Sequence, residues 1–278
     1  MERLIYTLPE GEPVWGLTLL AHEIYLLRQE EATCILKVYD VITYRFRRCL
    51  TVPNAKRIVD ITSCEHYRLV YASDHNAECV HRLDVYGNAT KWAVDDRPWE
   101  LAVNREHNVI VKCLSVRKIK EFSSHGEPQR EITLPDDIAN PQCAIQTRSD
   151  QFVVCHGGVA DEVHRVCAVR VGLSPDDCQI VHAHGGRRGS GTGQYNEPIH
   201  LAADDDEYVY VLDMKNRRVT LLSPTLEYIR QVVSRGQLTW RPARLCLDTQ
   251  RHLLYVAVND WNYVEAKWTS GRVMVFSV

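Results

Sequence analysis

The chain has 278 residues, 45% of them hydrophobic and 25% charged, and a formal net charge of −3. That balance belongs to a folded globular chain and excludes a disordered polycation, so any nucleic-acid contact has to come from a local basic patch. No apolar run reaches the roughly 18 residues of a membrane-spanning helix.

The first residues, MERLIYTLPEGEPVWG, have neither the basic n-region nor the small-residue cleavage site of a signal peptide, and a cytoplasmic location is the expectation. The ten cysteines are scattered with no C-x-x-C spacing. They read as reduced, buried small hydrophobes.

In chain order, Arg3–Leu8 reads as a strand that ends in Thr7-Leu8-Pro9. Units of short β-branched and aromatic runs follow, separated by Gly, Asn, Asp and Pro. The first unit has runs at Trp15–Thr18, Glu23–Leu27 and Ile35–Tyr39 and closes with Thr51-Val52-Pro53. The second has Ile58–Ile61, Leu69–Ala72 and Val80–Asp84. The third has Glu100–Val103, Asn108–Cys113 and Lys118–Phe122 and closes with Thr133-Leu134-Pro135. The fourth has Gln142–Ile145, Gln151–Cys155 and His164–Val169, followed by an insertion between Val171 and Gly193. The fifth has Ile199–Ala203, Tyr208–Leu212, Arg218–Leu222 and Tyr228–Val233. The sixth has Arg244–Leu247, Leu253–Val258 and Arg272–Phe276, after which the chain ends.

A proline ahead of the first run marks the repeat at Pro13, Pro98, Pro141, Pro198 and Pro242, with the missing mark at about Lys56. The spacing, roughly 43 residues outside the insertion, is that of a four-stranded propeller blade. The sixth unit lacks a fourth strand, and Arg3–Leu8 carries the fourth-strand tripeptide without a unit before it. These observations predict one all-β domain over residues 1–278: a six-bladed β-propeller of four-stranded antiparallel blades, closed by the N-terminal strand completing the last blade. Closure also removes the exposed edge that an open ring would present.

The most regular unit runs from Gly191 and Gly193 through Asn196 and Pro198 to Val211-Leu212-Asp213 and Asn216-Arg217-Arg218-Val219. This series resembles the NHL repeat, and the chain as a whole is similar to the C-terminal propeller of tripartite-motif NHL proteins of invertebrate type. The resemblance implies a module that selects targets, either partner proteins or single-stranded and stem-loop RNA, for a larger ubiquitin ligase. Any ligase chemistry would reside in other domains.

In a propeller the loops between the fourth and first strands (d–a) and between the second and third (b–c) share one face, and loops on a rigid scaffold carry function. In this chain those loops are rich in Arg, Lys, Trp and Tyr. Such a set contacts phosphates and stacks bases, or forms a protein-binding hot spot. The candidate binding residues are Arg187, Arg188, Tyr195, Lys215, Arg217, Trp240, Arg244, Trp261 and Trp268. Trp261 and Trp268 fall in what reads as a long b–c loop, Asn259 to Trp268.

Six-bladed propellers also include metal-dependent, lactonase-like hydrolases. Asp60, Glu100, Gln142 and His200 lie on the inner strands, but Arg57 and Arg244 beside them oppose a bare cation. His182 and His184 share a strand face with no third ligand in view. No catalytic residue, cofactor or metal is expected. The alternatives to a non-catalytic recognition module are such a hydrolase and a purely structural scaffold.

Overall fold

A computed structural model describes residues 2–30, 33–114, 117–172, 174, 177–262 and 264–278. It contains six sheets of four antiparallel strands. Blade 1 is β2 (Val14–Leu20), β3 (Glu23–Glu30), β4 (Thr33–Asp40) and β5 (Phe46–Thr51), and the later blades follow in chain order. Their inner strands are β6 (Ile58–Cys64), β10 (Pro98–Val103), β14 (Pro141–Gln146), β18 (Pro198–Ala203) and β22 (Arg241–Asp248). The last blade has the order β1 (Leu4–Thr7), β24 (Lys267–Ser277), β23 (Leu253–Asn262), β22. The chain's first strand thus completes its final sheet, as the sequence predicts. The register pairs Leu4 with Phe276 and Thr7 with Met274.

The recurring tripeptide has a physical reason. β1, β5 and β13 (Pro128–Thr133) each end on its threonine. The next residue, Leu8, Val52 or Leu134, is buried. Its N–H donates to a carbonyl on or just ahead of the third strand, on Val273, Cys34 or Arg117 respectively. The proline that follows has no N–H to leave unsatisfied.

Six apolar clusters hold the ring, one at each junction between neighbouring blades. Leu27 and Leu36 of blade 1 pack with Ile61 and Val70 of blade 2. At the seam, Leu17 and Ile24 of blade 1 meet Tyr255, Val273 and Val275 of blade 6. Each such side chain contributes about 1.5–3 kcal/mol on full burial.

The seam carries polar clamps as well. Buried Asn259 accepts from Val14 N at 2.8 Å and donates to Val14 O at 2.9 Å. Gly11 and Gly271 exchange both backbone hydrogen bonds. A Cβ on Gly271 would lie 2.4 Å from Asn259 Oδ1 and 2.8 Å from Val14 N, so only glycine fits that crossing. Arg28, fully buried, donates to the carbonyls of Glu12, Gly271 and Pro9.

Two expectations change in detail. The register mark of the inner strands is Val14, Ile58, Pro98, Pro141, Pro198 and Pro242. The proline ruler is therefore one residue early in blade 1 and two residues early in blade 2. The stretch from Asn259 to Trp268 is not a loop. It is the end of a long hairpin, with Trp261 paired to Trp268 across β23 and β24. Tyr263 lies outside the described residues. The insertion in blade 4 is built as a longer hairpin, β16 (Val163–Val171) with β17 (Cys178–Arg187), and a glycine-rich turn; Leu173, Pro175 and Asp176 lie outside the described residues.

Candidate functional site at the channel mouth

Each inner strand shows a register shift just after its marking residue, the first of the strand in five blades and the second, Pro242, in blade 6. That bulge sets two successive rings of side chains at equivalent places in the six blades. The outer ring is Trp15, Val59, Trp99, Gln142, Ile199 and Ala243. The inner ring is Gly16, Asp60, Glu100, Cys143, His200 and Arg244.

The outer ring lines a cavity of about 200 Å³ at the channel mouth. Met214 from the b–c turn of blade 5, Trp268 from the blade 6 hairpin and Arg57 from a d–a loop join its wall. Three indoles with Ile58, Val59, Ile199, Met214 and Pro242 make this wall mostly apolar. A second groove, about 280 Å³, adjoins it and shares Met214 and Asn259. Lys215, Arg217, Arg235, Trp240, Arg241 and Trp261 line that groove, with Asp260 its one acidic group. The d–a and b–c loops do share a face.

The candidate residues separate into three groups. Lys215, Arg217, Trp240 and Trp261 come together in the groove, and Arg244 and Trp268 in the mouth. Arg187 and Arg188 line neither cavity. Arg187 ends β17 paired with Val163, and Arg188 donates to Val159 O at 2.9 Å. Tyr195 is 1% exposed, packs in the core between blades 4 and 5, and pairs its hydroxyl with Thr220 at 3.3 Å. It is a core residue and cannot touch a partner.

Several of the cations are already engaged. Arg244 Nε binds Asp60 Oδ1 at 2.9 Å, and its second amino group donates to Val59 O at 3.1 Å. It reaches blade 2 past blade 1, where the ring position is Gly16. Lys215 lies 3.6 Å from Glu197, and Arg217 donates to Thr239 O at 2.9 Å. Arg272 stacks over Trp240 at 4.3 Å. Arg218 organises the glycine-rich turn: it pairs with Asp213 at 2.9 Å and donates to the carbonyls of Ser190, Gly191 and Gln194. Asp213 in turn accepts from Asn196 N at 2.8 Å, the turn-amide role its place in the repeat suggests.

The inner ring is a circumferential stitch. Asp60 accepts from Leu101 N at 3.0 Å, Glu100 from Ala144 N at 3.1 Å, and Cys143 Sγ from Leu201 N at 3.2 Å. Each bond ties one blade to the next. Burial pushes the Glu100 carboxyl and the Cys143 thiol well up and the His200 imidazole well down. Burial also lowers Lys112, which pairs in register with Glu100.

The inner ring was not anticipated as a unit. Its residue types differ in every blade, and the bulge that aligns them leaves no mark in hydropathy. Trp15 and Trp99 were accessible to sequence reasoning, since each closely follows a marker proline.

No protein-family model and no curated protein matches the chain. Solved structures do. A PQQ-bound aldose sugar dehydrogenase from Streptomyces coelicolor superposes with TM-score 0.69 at 14% identity, over 99% of this chain and 98% of that one. The β-propeller domain of Myceliophteria thermophila Cps50 (Swd1) gives 0.61 at 9%, over the whole of both chains. A virginiamycin B lyase from Staphylococcus aureus gives 0.59 at 9%, over 97% and 98%. The likeness is one of fold. Two enzymes and a β-propeller domain stand side by side in it, so the site has to be read from its own residues. Among the described residues no helix is long and apolar enough to cross a membrane.

Proposed function

We propose that the propeller is a non-catalytic recognition module whose channel mouth and adjoining groove bind an acidic peptide segment of a partner protein. The observation that carries this reading is the continuity of an indole-lined cavity with a groove where four cationic side chains face one carboxylate. The cavity, about 200 Å³, is smaller than the roughly 300–1,000 Å³ of small-molecule clefts and suits a single large side chain. Trp and Arg are the residues that dominate protein-binding hot spots.

RNA recognition is less well supported. Outside the groove, Arg244 is tied to Asp60 and Arg272 to an indole, which leaves few cations beyond the groove to follow a longer phosphate backbone. The resemblance to tripartite-motif NHL propellers agrees with a target-selecting role in a larger ligase. The ten unpaired cysteines support a reducing compartment such as the cytoplasm.

Panning the purified chain against a displayed random peptide library tests the reading, followed by fluorescence anisotropy on the enriched peptides. Acidic peptides with one aromatic or large aliphatic anchor should emerge, and Trp99→Ala or Trp268→Ala should weaken them at least tenfold. Enrichment without acidic character, or binding of random single-stranded RNA that falls steeply with salt while peptides do not bind, would overturn it.

A further inference from the structure

The geometry points to a zinc-class divalent metal site formed by Glu100, Cys143 and His200, on the inner ring beneath the channel mouth. The three residues hold the same inner-strand position in blades 3, 4 and 5. One ligand atom from each lies within 4.8 Å of the others, and Glu100 Oε1 is 3.5 Å from His200 Nε2. Tetrahedral zinc with bonds of about 2.0–2.3 Å needs donor atoms roughly 3.3–3.8 Å apart. Small inward movements of the side chains close the set.

The surrounding bonds favour this arrangement. Ala144 N holds Glu100 Oε2 and leaves Oε1 facing His200. Leu201 N donates to Cys143 Sγ at 3.2 Å, the contact that stabilises a metal-bound thiolate. Thiol, imidazole and carboxylate together select zinc over magnesium or calcium, which take oxygen ligands. Trp99, Gln142 and Ile199, each directly preceding a ligand, line the mouth cavity, which sets the ligand trio next to it.

Of the two cations that argued against a metal in the sequence, Arg57 and Arg244, the one on the inner ring has a partner of its own: Arg244 is matched by Asp60 at 2.9 Å. Ion uptake would release the proton of the buried thiol.

A second cluster, Asp74, Cys79 and His81, lacks this freedom. Both oxygens of Asp74 already accept backbone N–H groups, from Lys56, Arg57 and Ala77, and a metal there would break the turn. The zinc site departs from the expectation of no metal. It does not depend on the peptide reading.

The full chain, stripped with a chelator and dialysed first against zinc and then against metal-free buffer, should retain about one zinc per chain by elemental analysis. Loaded with cobalt instead, it should show a near-ultraviolet thiolate-to-cobalt band. Cys143→Ser should abolish that band and weaken zinc at least tenfold, whereas Cys79→Ser should keep both. Should Cys143→Ser fail to fold, His200→Gln replaces it for affinity, and the wild-type cobalt spectrum decides thiolate ligation. No zinc retained by the wild type, cobalt bound without the thiolate band, or a band that vanishes with Cys79→Ser and survives Cys143→Ser would overturn the assignment.

Discussion

Replacing Asp60 with alanine should be among the most damaging single changes in the ring. The carboxylate is 1% exposed and accepts from Arg244 Nε at 2.9 Å and from Leu101 N at 3.0 Å. Its loss leaves a largely buried guanidinium at the cavity wall without its counter-charge and the buried Leu101 N–H without an acceptor. Breaking a buried ion pair from one side costs about 3–5 kcal/mol, and about 4 kcal/mol is the expected loss. Unfolding entropy is about 2.1 cal/mol/K per residue, so 278 residues give about 0.6 kcal/mol/K and a fall in Tm of about 7 °C.

Urea titration and calorimetry measure both quantities. Asp60→Asn, which keeps an acceptor for Leu101 N, should lose less. The double variant Asp60→Ala, Arg244→Ala should lose clearly less than the two single losses added together, since removing both charges ends the imbalance. A loss below about 1 kcal/mol for Asp60→Ala, or strict additivity in the double variant, would refute the pairing across the channel.

Gly16→Ala should cost about 1–3 kcal/mol by urea titration, because the new Cβ would lie 2.7 Å from Ile61 Cγ1 and 2.9 Å from Ile61 N, and backbone cannot yield. Burial pushes His156 down from 6.5 to about 4. The folded form resists the proton that the unfolded chain accepts, so stability is full above pH 6.5 and drains as pH falls towards 4, by up to about 3 kcal/mol. His156→Leu should flatten that slope in denaturation curves taken at pH 7 and pH 5. Deleting residues 2–9 should leave β24 as an open edge and produce aggregates by light scattering; a peptide of that sequence added in trans should restore the monomer, and a stable monomer without it would contradict the closure.

Much of the architecture was legible in the chain. The third strands Lys118–Phe122 and Arg218–Leu222 coincide with the observed β12 and β20 because turn residues bound them on both sides. The closure was legible because Thr7-Leu8-Pro9 repeats the signal of Thr51-Val52-Pro53. The site was less so. Tyr195 follows a glycine-rich turn and reads as exposed, yet the turn folds back over the neighbouring blade and delivers the ring into the core. Arg244 reads as a free cation because its partner Asp60 lies in the second blade, at the far end of the chain. The Asn259–Trp268 stretch reads as a loop because its polar residues mask strand pairing that only the hairpin register reveals.

The seam in blade 6 also sets the timetable of synthesis. Within the propeller, Leu4, Ile5 and Tyr6 leave the ribosome ahead of all six blades' other strands, and their partners on β24 come about 270 residues later. At about 5–20 residues per second, the opening strand waits roughly 15–50 s with its backbone N–H and C=O groups unpaired. Five blades can assemble in that interval and the sixth cannot, so a nascent chain halted before β24 is a nearly complete wheel that exposes a sticky end, the state in which chaperones would be most needed.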